Sequence, residues 1–194
     1  MSDLHSNLLL LSVPESFESS RLLIRAPLWG DGVKLNEAVK ESRAELLPWM
    51  PWAVHSPTLE ESEMVIRRSR IRFLERSDLM LLLFLKETGQ LIGSSGLHRI
   101  DWEARKFEIG YWVRSAFSGN GYITEAVEAI THFAIQELEA NRIEIRCDSR
   151  NVRSARVAER SGFTLEGILR KEKCDAEGSL RDTMIFSRVK SLEY

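Results

Sequence analysis

Apolar positions along the chain change their spacing several times, and each change marks an element. The first twenty residues alternate poorly and end in SFESS. RLLIRA (Arg21 to Ala26) then sets Leu22 and Ile24 on one side at the two-residue spacing of a strand. Asp31 is placed to cap a helix running through Val33, Leu35, Ala38 and Val39, which stops near Pro48 in the aromatic segment LLPWMPWA. Thr58 and Glu61 form a capping-box pair. Behind them Met64, Val65, Ile71 and Leu74 give a second helix an apolar side, with arginines opposite. LMLLLFLK (Leu79 to Lys86) is apolar almost throughout and is bounded by the turn ETGQ. With LIGSSGLHRI after it, the pattern predicts a buried antiparallel hairpin. KFEIGYWV (Lys106 to Val113) is a further strand running into RSAFSGNGY, where two glycines two residues apart mark a specialised turn.

Beyond that turn the period lengthens from two to about 3.6 residues. Ala126, Val127, Ile130, Phe133, Ala134 and Leu138 predict an amphipathic helix ending near Asn141, and RIEIRCD (Arg142 to Asp148) is a strand directly after it. Asn151 to Ser161 reads as a shorter helix with Val152, Ala155 and Ala158 inward, and Gly162 stands where a left-handed cap is needed. Phe163 to Lys173 and Leu180 to Val189 are two closing strands joined by CDAEGS, with Gly178 at the reversal. No repeat, low-complexity tract or linker interrupts the pattern. The expectation is one mixed α/β domain over residues 1–194.

Composition narrows the function class. At 194 residues and 43% hydrophobic content the chain can bury a sizeable core. A formal net charge of −2 and a pI of ≈ 6.1 argue against direct binding of nucleic acid, whose phosphates reward clustered positive charge. The run Leu8 to Leu11 is too short for a signal or membrane segment. Two cysteines, Cys147 and Cys174, fit a reduced, cytoplasmic, soluble protein in which both are buried strand thiols. No cluster has metal-ligand spacing. The run Arg67, Arg68, Arg70 and Arg72 is balanced by Glu60, Glu61 and Glu63 and is read as a solvated helix face.

The chemistry centres on SGNGYITEA (Ser118 to Ala126). A strand that enters two glycines and then a helix presents backbone amides and the positive helix end to an anion, and the glycines admit positive φ without a Cβ in the ligand's way. The turn lacks the lysine of a P-loop and the position of a dinucleotide fingerprint. A diphosphate held by backbone amides fits this turn; on the two glycines alone plain turn chemistry is the leading alternative, and the surrounding residues decide.

YWVRSAFSGNGYITEAVEAITHFAIQEL followed by NVRSARVAERSGFTLEG resembles the acetyl-CoA-binding half of the GNAT superfamily of N-acetyltransferases. LLPWMPWA, FEIGYWV, GYITEA and the N-x-x-S-x-x-V-A-E-x-x-G-F stretch resemble the RimJ/RimL-type ribosomal-protein N-terminal acetyltransferases. The resemblance implies a GNAT-like mixed, largely antiparallel sheet of six to seven strands flanked by about four helices, with a splayed strand pair for the thioester. It implies acetyl-CoA as co-substrate, no metal, and a protein N-terminus or small-molecule amine as acceptor; such relatives often pair as homodimers. A non-catalytic acyl-CoA sensor is the reading from another class. The superfamily's turn pattern, Gln/Arg-x-x-Gly-x-Gly/Ala, is met with departures: Ser118 holds the first position, Gly121 the central glycine and Ile123 the last. Where a tyrosine acid is usual, Ala158 stands.

By this resemblance Ser118, Gly119, Asn120, Gly121, Tyr122, Ile123 and Thr124 cradle the pyrophosphate. The backbone of Tyr111, Trp112 and Val113 polarises the thioester carbonyl, and Asn151 contacts the pantetheine arm. Transfer to an amine needs a proton acceptor at nitrogen and a proton for the departing sulfur. Glu108 and His98 are candidates for the first, Ser154 for the second. Each has a plainer alternative: a strand carboxylate paired with arginine for Glu108, a hydrogen-bonded core residue for His98, and helix capping for Ser154 and Asn151. Trp49, Met50 and Trp52 are read as an aromatic wall over the acceptor or as a loop anchored in the core. Some relatives place a late glutamate as base. Lys173 holds that position here, and Glu172, one residue away, is expected on the opposite strand face.

Overall fold

Residues 8–175 and 177–194 are described by the computed structural model of the chain. They form, in order, β1 (Ser16–Glu18), β2 (Leu22–Arg25), α1 (Gly32–Leu46), α2 (Leu59–Glu75), β3 (Leu79–Leu85), β4 (Leu91–Asp101), β5 (Lys106–Val113), α3 (Tyr122–Leu138), β6 (Arg142–Asp148), α4 (Val152–Arg160), β7 (Thr164–Cys174) and β8 (Leu180–Val189). The eight strands make one sheet in the order β1-β2-β3-β4-β5-β6-β8-β7. Every neighbouring pair is antiparallel except β5 with β6. The expected six to seven strands become eight because of β1. That strand is three residues long with exposed flanks, too short to show alternation, and it pairs with β2 through Phe17↔Ile24.

Helices cover the sheet unequally. On one face α3 and α4 bury Ala126, Val127, Ile130, Ala134, Ala155 and Ala158 against Ile24, Leu81, Leu97, Phe107, Ile109 and Ile145. On the other, α1 and α2 set Leu35, Ala38, Val39 and Ile66 on Leu82, Phe84 and Leu91. β3 is apolar because it is covered on both sides. On the β6–β8 part of this second face Arg142, Glu144, Arg146, Asp148, Thr183 and Ser187 are polar, with Ile185 among them. No helix among the described residues is long and apolar enough to cross a membrane.

The second helix turns a different side inward from the one its pattern suggested. Met64, Val65, Ile71 and Leu74 are all exposed, and Ser62, Ile66 and Phe73 are buried. Ile66 and Phe73 are seven residues apart, as are Met64 and Ile71, so two apolar stripes exist, offset by about 200°. Periodicity alone does not choose between them. Packing does: Asn36 of α1 donates to the Ser62 hydroxyl at 2.9 Å and to the Pro57 and Thr58 carbonyls, which brings the polar line of α2 against α1.

Caps follow expectation in part. Thr58 and Glu61 make the reciprocal capping box, and Gly162 takes φ +75 after α4. Asp31 precedes α1 but makes no cap bond; its carboxylate is taken by both terminal nitrogens of Arg25 at 2.7 Å. Glu63 of α2 accepts instead from the Gly30 and Gly32 amides. Val33 and Val152 are exposed rather than inward. Cys147 is buried as expected; Cys174, at the end of the edge strand β7, is exposed, and both are free. In the CDAEGS reversal Ala176 lies outside the described residues, Gly178 has φ +84, and the Asp175 amide donates to the Ser179 carbonyl at 2.8 Å.

Candidate active site

β5 and β6 are parallel partners over three positions only: Lys106↔Arg142, Phe107↔Ile143 and Glu108↔Glu144. Past Glu108 they part, while β5 stays paired to β4 as far as Val113 and β6 stays paired to β8 as far as Asp148. A strand that has lost one neighbour keeps its backbone amides and carbonyls free along that edge. Antiparallel strands bond through alternate residues, and the Arg114 amide donates to the Ile92 carbonyl at 2.7 Å, so Trp112, two residues before it, turns its backbone to β4; the expectation that it joins the cleft is corrected, and Tyr111 and Val113 keep the unpaired backbone groups that face a cleft running through the sheet.

At the open end of the cleft β5 leads into the glycine turn. Gly119 and Gly121 take φ +82 and +77, and a Cβ on Gly119 would meet nothing within 4 Å. Tyr122 begins α3, whose first-turn amides have no partner within the helix. Arg21 holds this turn from β2's leading edge. Its guanidinium donates to the Asn120 carbonyl at 3.1 Å, pairs with Glu125 at 2.6 Å, and lies 4.3 Å from the Tyr122 ring centroid. Burial pushes the Glu125 carboxyl up, but the Ser19 hydroxyl and the Arg21 amide and guanidinium together hold it below the usual range. Arg21 thus offsets the acidic side chain in the first turn of α3. Ile123 packs on the core beneath the turn, so its bulk is directed away from the anion side. A group with a diphosphate and a narrow arm fits this turn and cleft: Ser118 to Thr124 would hold the phosphates.

On the α3/α4 side of the cleft, the Tyr111 hydroxyl stands 3.0 Å from both the carbonyl and the hydroxyl of Ser154, in the first turn of α4. Burial pushes the phenol's pKa up, partly offset by Ser154, so the proton stays on the ring oxygen. Burial likewise raises the Cys147 thiol, which the Ser154 hydroxyl faces. Asn151 caps α4 through its side-chain oxygen, accepting from the Ser154 amide at 3.0 Å. Its NH2 group has no hydrogen-bond partner among the described residues.

The opposite face carries the other candidates. His98 and Glu108 are register partners on β4 and β5, so their side chains leave the sheet together. Glu108 is ion-paired with Arg99 at 3.0 Å, which a left-handed residue at the bulge after His98 turns toward it. Glu108, Glu144, Arg99 and Arg146 line a cavity of about 70 Å³ at the foot of the split. Burial and the neighbouring Arg99 lower the Lys173 pKa. Glu172 does not face away as strand alternation suggested. The register shift between Leu169 and Lys173, with Lys171 at φ +52, brings it to Arg146 at 2.9 Å and Thr183 at 2.8 Å.

Farther along β5 on this face stands Trp112, about 13 Å from Glu108 at strand rise. Trp52 meets it edge-on, with ring centroids 6.1 Å apart, and is 50% exposed. Arg43 holds the segment Pro51–Val54 by donating to the Ala53 carbonyl at 3.1 Å. Trp52 is therefore on a fixed wall. Trp49 is half-buried and its amide donates to the Leu46 carbonyl, closing the end of α1.

Three contributors were not singled out in the sequence: Arg21 as the clasp of the turn, the Tyr111 hydroxyl, and Asp78, which meets His98. Arg21 and Asn120 are 99 residues apart. No local spacing announces such a pair.

Comparison with known proteins agrees with this geometry. The family described as acetyltransferase (GNAT) domain matches residues 21–164. The ribosomal-protein-serine acetyltransferase of Escherichia coli (strain K12) is 32% identical over 144 residues, 73% of this chain and 79% of that protein. Among solved structures, the microcin C7 self-immunity acetyltransferase MccE, in complex with acetyl-CoA and AMP, superposes with TM-score 0.84 at 25% identity, covering 93% of this chain and 99% of that one. RimL, the ribosomal L7/L12 alpha-N-protein acetyltransferase, in complex with coenzyme A, gives TM-score 0.82 at 23% identity, covering 91% and 97%, and shares the fold.

Proposed function

The chain belongs to the GNAT acetyltransferase family and is an N-acetyltransferase, and from that premise we propose that its acceptor is the α-amine of a protein N-terminus, taken in a ternary complex. The observation that carries this reading is the two-sidedness of the cleft. Acid candidates lie on the α3/α4 side, proton acceptors on the other, and the acceptor face is an open sheet surface rather than a closed chamber. Trp52, Trp112, Glu108 and Arg146 border that surface, which suits an extended peptide. The similarity to a ribosomal-protein-serine acetyltransferase supports the same choice.

Acetyl-CoA supplies the activated acetyl group as a thioester. The chain's own residues do the rest. Backbone groups of Tyr111 and Val113 orient and polarise the carbonyl at the unpaired edge of β5. A peptide α-amine has an intrinsic pKa of about 7.7–8.0, so near neutrality much of it must lose a proton before it attacks. His98 takes that proton, and Glu108, held by Arg99, draws the amine to the mouth of the cleft. The Ser154 hydroxyl, backed by that of Tyr111, protonates the leaving sulfur.

The similarity to an acetyltransferase solved with AMP makes a small-molecule amine the second reading. A panel decides between them: peptides with free N-termini, the same peptides N-blocked, polyamines and aminoacyl conjugates, each with acetyl-CoA and mass-spectrometric detection. We expect product with free-N-terminal peptides and at least roughly tenfold lower kcat/KM for small amines, about 1.4 kcal/mol of discrimination. Product from small amines alone would transfer the assignment to them; tight CoA binding with no product from any acceptor would leave an acyl-CoA sensor.

A further inference from the structure

We propose that Asp78 and His98 act as a dyad, with Asp78 as the positioning residue that leaves Nε2 of His98 as the proton acceptor for the amine. This deepens the acetyl-transfer reading above and rests on it. Asp78 immediately precedes β3, and its Oδ2 lies 2.8 Å from Nδ1 of His98. A carboxylate only accepts, so Nδ1 must donate, and the neutral ring then carries its lone pair on Nε2. Nε2 has no hydrogen-bond partner among the described residues. The ring is half-exposed at 31%, within reach of a ligand on the open face.

Two glycines make room for this placement. A Cβ on Gly110 of β5 would stand 3.1 Å from Cδ2 and 3.4 Å from Nε2 of His98, and one on Gly96 would stand 3.1 Å from Cε1. The imidazole therefore lies along the sheet over Gly96 and Gly110 instead of standing off it, with its Nε2 edge toward β5 where that strand has parted from β6. Glu108, its register partner, is occupied by Arg99. Of the two candidate proton acceptors, Glu108 is held at Oε2 by a cation, whereas His98 has an orienting carboxylate behind it and an Nε2 with no partner among the described residues.

The step balances. The amine nitrogen bonds to the acetyl carbon as the carbon–sulfur bond breaks. A protonated amine first loses one proton through Nε2 of His98 to water; on attack the neutral amine gives up its second proton to Nε2, whose imidazolium Asp78 stabilises and which releases it to water in turn. The sulfur takes a proton from the Ser154 and Tyr111 hydroxyls, which recover one from water.

The test has a structural and a kinetic arm. ¹⁵N-histidine NMR of the wild-type protein at alkaline pH should show His98 protonated at Nδ1 and bare at Nε2; an Nε2–H tautomer overturns the dyad. This arm needs no variant to fold. In the kinetic arm, Asp78→Asn should lower kcat at least roughly tenfold with the KM for acetyl-CoA unchanged, and add no further loss in a His98→Gln background. Independent, multiplying losses would mark Asp78 as merely structural, and a His98→Gln enzyme with wild-type kcat would remove the dyad while acetyl transfer stands. A wild-type protein that acetylates no amine would instead remove the reading beneath it.

Discussion

Gly121→Val will bind acetyl-CoA at least about 100-fold more weakly than the wild type in calorimetric titration, while remaining folded. Gly121 has φ +77, a region closed to β-branched residues. Holding valine there costs about 2–3 kcal/mol, which the turn relieves by rotating its amides away from the anion they serve. A Cβ there would meet Arg21 Nη2 at an ordinary contact distance of 3.6 Å, so the cost comes from the backbone conformation. Gly119→Ala is the graded comparison. Its φ of +82 is strained for alanine, but a Cβ there meets nothing within 4 Å, so about a tenfold loss is expected. Equal affinity for acetyl-CoA in Gly121→Val and wild type would place the pyrophosphate elsewhere.

Ser154→Ala will lower kcat roughly 100-fold with the KM for acetyl-CoA within about threefold of wild type, the pattern of a proton donor needed only in the transition state. Tyr111→Phe removes the hydroxyl that stands 3.0 Å from it and will cost about tenfold. The double variant will be little worse than Ser154→Ala, because two groups that pass one proton fail as a unit. Steady-state kinetics with the best peptide of the acceptor panel measures all three. If Ser154→Ala keeps wild-type turnover, the buried Tyr111 hydroxyl is the donor by itself, and the double variant then falls only as far as Tyr111→Phe.

Much of the frame was legible because it is local. The buried strand β3 announces itself by seven apolar residues in a row, the glycine turn by its two glycines, and the short α4 by Asn151 and Gly162 at its ends. The site was legible in position but less so in role. Glu108 and His98 were singled out as candidate proton acceptors, with an arginine partner as the plainer reading of Glu108; that the arginine would be Arg99, and that Asp78 would orient His98, neither segment said. Both partnerships depend on tertiary detail: a bulge after His98 in one case, the junction entering β3 in the other. The failed expectations share that cause. Which stripe of α2 faces the core was settled by the Asn36–Ser62 contact, and the side on which Glu172 lies by a bulge at Lys171. Period-counting sees neither.

The central claim is that thioester and peptide amine meet across one cleft, entering from opposite faces of the sheet. A conjugate joining a peptide α-amine to coenzyme A through an acetyl bridge tests it most directly. Measured by calorimetry, it should bind at least about 100-fold more tightly than coenzyme A alone, because the two halves occupy adjoining sites and the second binds at high effective concentration. A conjugate that binds no better than coenzyme A would contradict the account.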